Sequence, residues 1–553
     1  MERQALAAVS PRRPLAWLPF LWSRVLFPGS TTAGQPSRPA ALLLLILLPG
    51  LLLYPCLRFR LFEPDEGRYA EIPREMLQRG EWVVPYLQGE PYLDKPPLLY
   101  WLVEASYGLF GAHDWSARLV PALAVHACVL LTYLLGKRSL GERAAFRGAL
   151  ALGLAPGFLS MGRLLLLDGL LALWTTLAVL AAFEAVRGER LRWGWWLLSA
   201  AACGLGVLTK GPVAMVLLAP PLWLYGRLTG RGRRAGLAAL AAFALVLAAL
   251  TVPWYFAICR RLPEFARTFF WEHNVRRFLT GMAHQRGVWF YAPVVLAGLL
   301  PASLLVPPFL RFLLSADEAV ASRRSAELGF MLLAGGWVVA FFTLSTCKLA
   351  TYALPAFPPL ALALGYYLTH SRWAASRWPG VGAGAAFLVL AGGHYLVLPW
   401  YAEYRSPLHR EDEVRRLCGD PDTAVVCYPR NCDSVAFYLG RDDLRAYRSK
   451  EIEDLRALVR ARPRTVILCT HRHSLQGLRQ LLPPDVCVVD EVRLELANLP
   501  GVPKRLRRPL ALLMGETALG LGDVAVVEPR RWAPFPPPPP RQPMELSIPM
   551  YDR

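Results

Sequence analysis

Apolar residues in this chain gather into long runs, and the polar residues concentrate in the short stretches between them. A helix crosses a bilayer core in roughly 17–25 apolar residues, and at that length about eleven candidate spans can be placed, near residues 41–57, 117–136, 145–162, 168–186, 195–209, 212–226, 236–258, 289–310, 328–346, 351–369 and 381–399. The pattern predicts an all-α polytopic membrane domain over residues 41–399. From Tyr401 the rhythm changes. Short β-branched runs at 423–428, 464–470, 485–491 and 523–529 alternate with helix-like segments at 433–440, 452–461 and 474–482, which predicts a small soluble α/β domain over residues 400–530. The run Pro536 to Pro540 marks a Pro-rich tail, residues 531–553, expected to be polyproline II or disordered. Residues 1–40 read as a cytoplasmic leader and not a cleaved signal peptide, because the first full span begins later and no small-residue cleavage pattern is evident.

Composition agrees with the pattern: of 553 residues, 54% are hydrophobic and only 18% charged. The formal net charge of +20 would suit a nucleic-acid binder, but much of the Lys and Arg lies in short loops between apolar runs. With the amino terminus in the cytoplasm, the connections 137–147, 187–194, 226–234, 311–324 and 371–377 all return there. All are basic, as the positive-inside rule requires. The opposite, exterior face then receives the segment 58–98, the turns at Arg163, Lys210 and Lys348, the loop 259–288 and everything after Trp400. The 10 cysteines show no CxxC spacing and no Cys/His cluster, which argues against a zinc finger or a thioredoxin-type site. Five of them, Cys418, Cys427, Cys432, Cys469 and Cys487, fall in the exterior domain, where a disulfide is conceivable. That domain carries no GxGxxG after its first strand and no nucleophile elbow, so it reads as a structural or acceptor-docking appendage.

The unusual polar residues share the exterior face. Charged groups left unpaired at a bilayer boundary cost several kcal/mol on the usual scale, so their concentration there points to a site. In FEPDEGRYAEI, Asp65 and Glu66 are adjacent carboxylates, Gly67 lets the backbone turn, and Arg68 can hold one acid ionised. Pro73 is expected in the first turn of a short interfacial helix that ends at Gly80. In PYLDKPPLLYW, Lys95 follows Tyr92 and Asp94 and is stiffened by two prolines, a natural arrangement for a phosphate contact. Arg163 and Asp168 flank a leucine run, and a carboxylate in an apolar hairpin needs a partner or a wet cavity. Lys210 in LTKGP, His273, Asn274, Arg276 and Arg277 in FFWEHNVRRFLTG, and Lys348 with Tyr352 in STCKLATYALPAFPP add further polar groups to the same face. Together they suggest an anionic lipid headgroup, with phosphate the natural candidate. The bland readings are topology anchors, snorkelling lysines and a salt-bridged helix cap.

The motifs DEGRYAEIPREML, GEWVVPYLQGEPYLDKPPLLYW, LTKGP, FFWEHNVRRFLTG, GVWFYAPVVLAGLLPASL and KLATYALPAFPPLALALG, running in consistent order from Phe62 to Gly365, resemble the bacterial aminoarabinose transferases of lipid A. They also resemble the wider set of integral-membrane glycosyltransferases related to protein O-mannosyltransferases. The resemblance implies the GT-C fold, with exterior interfacial helices beside the spans, and transfer of a sugar from a polyprenyl-phosphate carrier on the periplasmic face of the inner membrane, with inversion. It places the catalytic aspartate on Asp65 with Glu66 and Arg68 beside it, and the intramembrane aspartate on Asp168. The lipid-phosphate lysine falls on Lys95 next to Tyr92, and the remaining substrate contacts fall on Arg277, Lys348 and Tyr352. Two departures stand out: Asp94 occupies a position where such transferases usually carry Glu, and His273 sits one position off the family histidine. Because that carboxylate joins a metal site in some relatives, a divalent metal is left open and no other cofactor is expected.

Breaking the bond from an anomeric carbon to a lipid phosphate develops negative charge on the leaving group, which nearby cations stabilise. Lys95 and Arg277, with Lys348, are the candidates, and Asp65 would deprotonate or orient the acceptor hydroxyl for in-line attack. A lipid or glycan acceptor ranks above a protein. The alternative class is a transporter or flippase whose intramembrane charges line a pathway, but that reading predicts duplicated halves, and none are visible.

Overall fold

The computed structural model describes residues 38–230, 236–280, 284–406, 411–420, 422–429, 431–469, 474–493 and 523–530. The Pro-rich tail and almost all of the leader lie outside the described residues. The chain divides into two compact units, residues 1–406 and 407–553.

The first unit is helical apart from one small hairpin. Its main helices are α1 (Arg38–Leu53), α2 (Asp65–Arg79), α3 (Leu98–Phe110), α4 (Asp114–Leu140), α5 (Glu142–Gly153), α6 (Pro156–Gly162), α7 (Leu167–Val186), α8 (Trp193–Lys210), α9 (Val213–Leu228) and α10 (Leu237–Arg261). They continue with α11 (Tyr291–Gly298), α12 (Val306–Leu314), α13 (Ala326–Leu344), α14 (Phe357–His370), α15 (Trp378–Gly392) and α16 (Leu398–Arg405). All eleven apolar segments are helical over most of their length. Among the described residues, six helices or helix runs are long and apolar enough to cross a membrane alone, or up to eight if each of two bent pairs counts as one span.

Those bent pairs correct the expectation of straight spans at 145–162 and 289–310. The first bends by 56° between α5 and α6, and the second by 108° ahead of α12. They meet at glycines: a Cβ on Gly157 would lie 2.5 Å from the Gly298 Cα, so only glycine permits the approach. The same device joins α5 to α14. Ala144 and Gly148 on one helix face Ala361 and Gly365 on the other, and a Cβ on Gly365 would lie 2.4 Å from the Ala144 carbonyl oxygen. Small residues four apart let backbones touch where lipid supplies no hydrophobic drive.

The interfacial helix α2 begins at Asp65, not at Pro73, which lies in its interior. The first turn holds Asp65 and Glu66, where free backbone N–H groups favour carboxylates, and Gly80 ends the helix in the left-handed conformation at φ 63°. Burial of nearly every residue from Glu66 to Met76 offsets the hydrogen bond that an interior proline forgoes.

In the second unit, strands β3 (Ala424–Tyr428), β4 (Arg445–Ala446), β5 (Thr465–Cys469), β6 (Val486–Arg493) and β7 (Asp523–Pro529) form a sheet in the order β4-β3-β5-β7-β6; the hairpin of the first unit supplies β1 (Tyr86–Leu87) and β2 (Glu90–Pro91). β3 runs parallel to β4 and β5, while β7 is antiparallel to both β5 and β6. Strand residues alternate between two cores. Val425, Cys427, Val466 and Val524 pack with Val414 and Val435 on one face, and Val426, Ile467, Ala525 and Val527 pack with Leu455 and Leu478 on the other. No disulfide joins any of the ten cysteines, so the bridge considered for the α/β unit does not form; Cys418, Cys427, Cys432 and Cys469 are core residues instead.

Candidate active site

The loop that carries Lys95 is pinned at several points. Glu75, buried in α2, accepts hydrogen bonds from the backbone N–H groups of Gln88 and Gly89 at the tip of the β1–β2 hairpin. The Trp101 and Trp254 indoles donate to the Trp82 and Val83 carbonyls at 2.8 and 3.0 Å, and Arg261 pairs with Glu81 at 2.7 Å. Lys95 is therefore presented by a fixed loop, with its Nζ donating to the Asp94 carbonyl at 2.9 Å. Burial pushes this ammonium down to about 8 against the pull of Asp94, and the cations Arg277, Lys210 and Arg68 push in the same direction as burial.

Lys95 lines a cavity of 310 Å³ together with Lys210, His273, Asn274, Arg277, Cys347 and Tyr352. The rest of the wall is apolar and includes Val213, Val216, Phe278, Phe341 and Phe342. Cations at one part of an apolar cavity suit an anionic head on a hydrocarbon chain. Asp168, at the start of α7, reaches this group through Lys210, whose Nζ lies 2.5 Å from its Oδ1. The same ammonium sits 4.1 Å from the Tyr352 ring centroid. Lys210 was read from sequence only as an exterior polar group, since a lysine at a helix end resembles a topology anchor; the packing of α8 against α7 turns it into the partner Asp168 requires.

Asp65 is half exposed, with Arg68 3.7 Å away, and Arg68 lies 6.0 Å from the Tyr92 ring. Neither acid of the DEG motif lines the cavity. Buried Tyr69 links the two zones, lying within electrostatic range of Asp65 and Arg68 and also of Arg277.

Of the expected substrate contacts, Lys95, Arg277 and Tyr352 line the cavity and Glu66, Arg68, Tyr92 and Lys348 do not; Glu66 and Lys348 are engaged by other groups. Glu66 is buried, and both of its oxygens are occupied: Arg118 donates at 2.8 and 2.6 Å, and the N–H groups of Leu165 and Phe62 donate at 2.8 and 3.0 Å. A carboxylate so saturated anchors the start of α2 and offers nothing to a substrate. Lys348 is also buried, donates to the Ser345 carbonyl and lies outside the cavity lining. Its backbone N–H donates to the His284 carbonyl at 3.0 Å.

His273 does enter the site: its Nε2 lies 2.9 Å from Asp94 Oδ1. Although burial opposes it, this hydrogen bond and the charge of Lys95 hold the Asp94 carboxyl below the usual range. Among the described residues no three His, Cys, Asp or Glu side chains converge, whereas a catalytic zinc takes three protein ligands.

Residues 40–269 match the model of the dolichyl-phosphate-mannose-protein mannosyltransferase family. An undecaprenyl phosphate-α-4-amino-4-deoxy-L-arabinose arabinosyl transferase of Pseudomonas aeruginosa is 36% identical over 68% of this chain and 68% of its own length. The chain belongs to the aminoarabinose arabinosyl transferase family. A second such transferase, from Pseudomonas fluorescens, is 35% identical over 64% of this chain, which spans only 61% of that relative. The fold is that of the crystal structure of ArnT from Cupriavidus metallidurans bound to undecaprenyl phosphate. TM-score is 0.69 over 88% of this chain and 98% of that one, at 21% identity.

Proposed function

We propose that this protein is a multi-pass glycosyltransferase that moves a sugar from a polyprenyl-phosphate donor to a lipid, glycan or protein acceptor, with inversion, at the exterior face of the bacterial inner membrane. The observation that carries the reading is the cavity where Lys95, Lys210 and Arg277 meet an apolar wall. There the cations hold the donor phosphate and stabilise the charge that grows on it as the glycosidic bond breaks. Tyr352 packs beside Lys210, and Tyr92 with Arg68 orients the loop next to Asp65. Asp168 holds the Lys210 ammonium in place. Asp65, on the first turn of α2, takes the proton of an acceptor hydroxyl or orients the acceptor. The relatives' names support a pentosyl donor on undecaprenyl phosphate, with a lipid of the lipid A type as the leading acceptor. Family membership favours transfer over transport.

The test is to incubate purified protein with a panel of labelled polyprenyl-phosphate sugars and native membranes and to identify the labelled product. Asp65→Asn should lower transfer by about 10²–10⁴ while leaving donor binding in place. Equal labelling by wild type and this variant would remove Asp65 from the chemistry.

A further inference from the structure

Arg163, four residues before α7, is a guanidinium with 0% exposure whose Nε and Nη2 reach no hydrogen-bond acceptor. Its Nη1 makes a long bond to the Leu52 carbonyl at 3.4 Å, and the buried Cys56 thiol also lies against the guanidinium. The carboxylate near it, Glu66, is already filled by Arg118 and two backbone N–H groups. The Phe59 ring lies 3.6 Å from the Arg118 guanidinium and 5.6 Å from that of Arg163, so two cations share one aromatic and one acid. Among the described residues Arg163 has no ion pair. A buried arginine with unfilled donors calls for an anion that the chain does not supply.

The surroundings suit one. Ser160 lies one helical turn before Arg163, and its Oγ is 2.8 Å from His394 Nε2. The other ring nitrogen, Nδ1, lies 3.1 Å from the same Leu52 carbonyl that Arg163 uses. A carbonyl only accepts, so Nδ1 carries a proton, and Ser160 shares a hydrogen bond with Nε2. Ser160 is partly exposed, and the helix run that carries His394, Trp378–Glu403, is thinly covered: 17% of its apolar window is buried, against 89% for α7.

We infer that Arg163, with Ser160 beside it, is a second anion site, separate from the donor cavity, that takes the phosphate of a lipid-borne acceptor. Arg163 is absent from the cavity lining, yet through Glu66 and Leu165 it is tied to the helix turn that presents Asp65. An acceptor anchored there enters on the side of the proposed base and leaves the donor cations free. This assignment rests on the proposed transfer reaction for its purpose but not for its measurement.

The test compares wild type, Arg163→Gln and Arg163→Lys reconstituted in nanodiscs of neutral lipid. Binding of a phosphorylated glycolipid is measured by native mass spectrometry without donor, beside its dephosphorylated counterpart, phosphatidylglycerol and inorganic phosphate. Wild type should retain the phosphorylated glycolipid, Arg163→Gln should weaken it by about tenfold or more, and Arg163→Lys should keep most of the affinity. Where turnover is measurable, Arg163→Gln should raise the acceptor KM and leave the donor KM unchanged. Equal loss for phosphorylated and dephosphorylated lipid, a change confined to the donor KM, or no change would overturn the proposal. Retention of phosphatidylglycerol equal to that of the glycolipid would overturn the acceptor role in favour of a structural lipid. If Arg163→Gln does not fold, the phosphorylated glycolipid must still raise the melting temperature of wild type more than its dephosphorylated form does, and failure of that shift overturns the site. Loss of transfer with lipid retention intact would count against the proposed reaction and leave the anion site standing.

Discussion

Asp65 and Glu66 are neighbours in the chain, but their surroundings differ completely. Glu66 is enclosed, with Arg118 and two backbone N–H groups on its oxygens, whereas Asp65 is half exposed with one loose arginine partner. The helix turn rotates adjacent side chains by about 100°, so one points into the protein and the other toward the open face. A saturated carboxylate stabilises structure, while an unsaturated one keeps oxygens that can still accept. The same contrast separates the cations, since Lys210 lines the cavity while Lys348 lies outside it and donates to a carbonyl.

The sharpest way to break this comparison is to neutralise each acid. Glu66→Gln leaves Arg118 uncompensated and should cost about 3–5 kcal/mol of stability, read as a lower melting temperature in detergent, with the donor Kd of the folded fraction unchanged. Asp65→Asn should leave the melting temperature within a degree or two while transfer collapses; the reverse pattern would invert the assignment of the two acids. Next in size, Lys210→Met removes both a cavity cation and the partner of Asp168. It should weaken donor binding by about tenfold to a hundredfold in an equilibrium titration, and a change in kcat alone would place Lys210 outside the phosphate contact. Lys95 sharpens the picture through pH. Its ammonium is charged below about 8 and neutral above, against an ordinary value of 10.5, so donor affinity should fall as the pH rises through 8. Lys95→Arg, which stays protonated, should flatten that profile. The smallest effect is expected from Lys348→Met, with the donor Kd shifting by less than about twofold because this side chain makes no cavity wall. A larger shift would return Lys348 to the site.

Much of the architecture was legible because it rests on local pattern. The apolar runs are helical, the β-branched segments at 424–428 and 465–469 are strands, and the helix at 452–461 lies where its spacing put it. Less local features were not. Nothing in the chain announces that β7, the last described strand, inserts between β5 and β6, because strand order depends on pairings between distant segments. The glycines that bend and cross two spans read only as membrane-tolerated residues. The candidate site divides in the same way. Charged residues in an apolar chain mark themselves, so Asp65 and Glu66, Lys95, Asp168 and the pair Arg276 and Arg277 stood out from residue type and place, and the family resemblance then singled out Asp65 and Arg277. Which of them converge could not be read, since a long side chain at a helix end looks the same whether it anchors topology or meets an acid 42 positions away, as Lys210 meets Asp168.

The sequence by itself therefore determined the membrane class, the helical and α/β halves, and the set of polar residues too costly to be incidental, all of which follow from hydrophobic period and the expense of charge near lipid. Only the tertiary structure decided which charges neutralise one another and which stay available. That division depends on whether a partner from a distant helix arrives within about 3 Å, a distance no local pattern encodes.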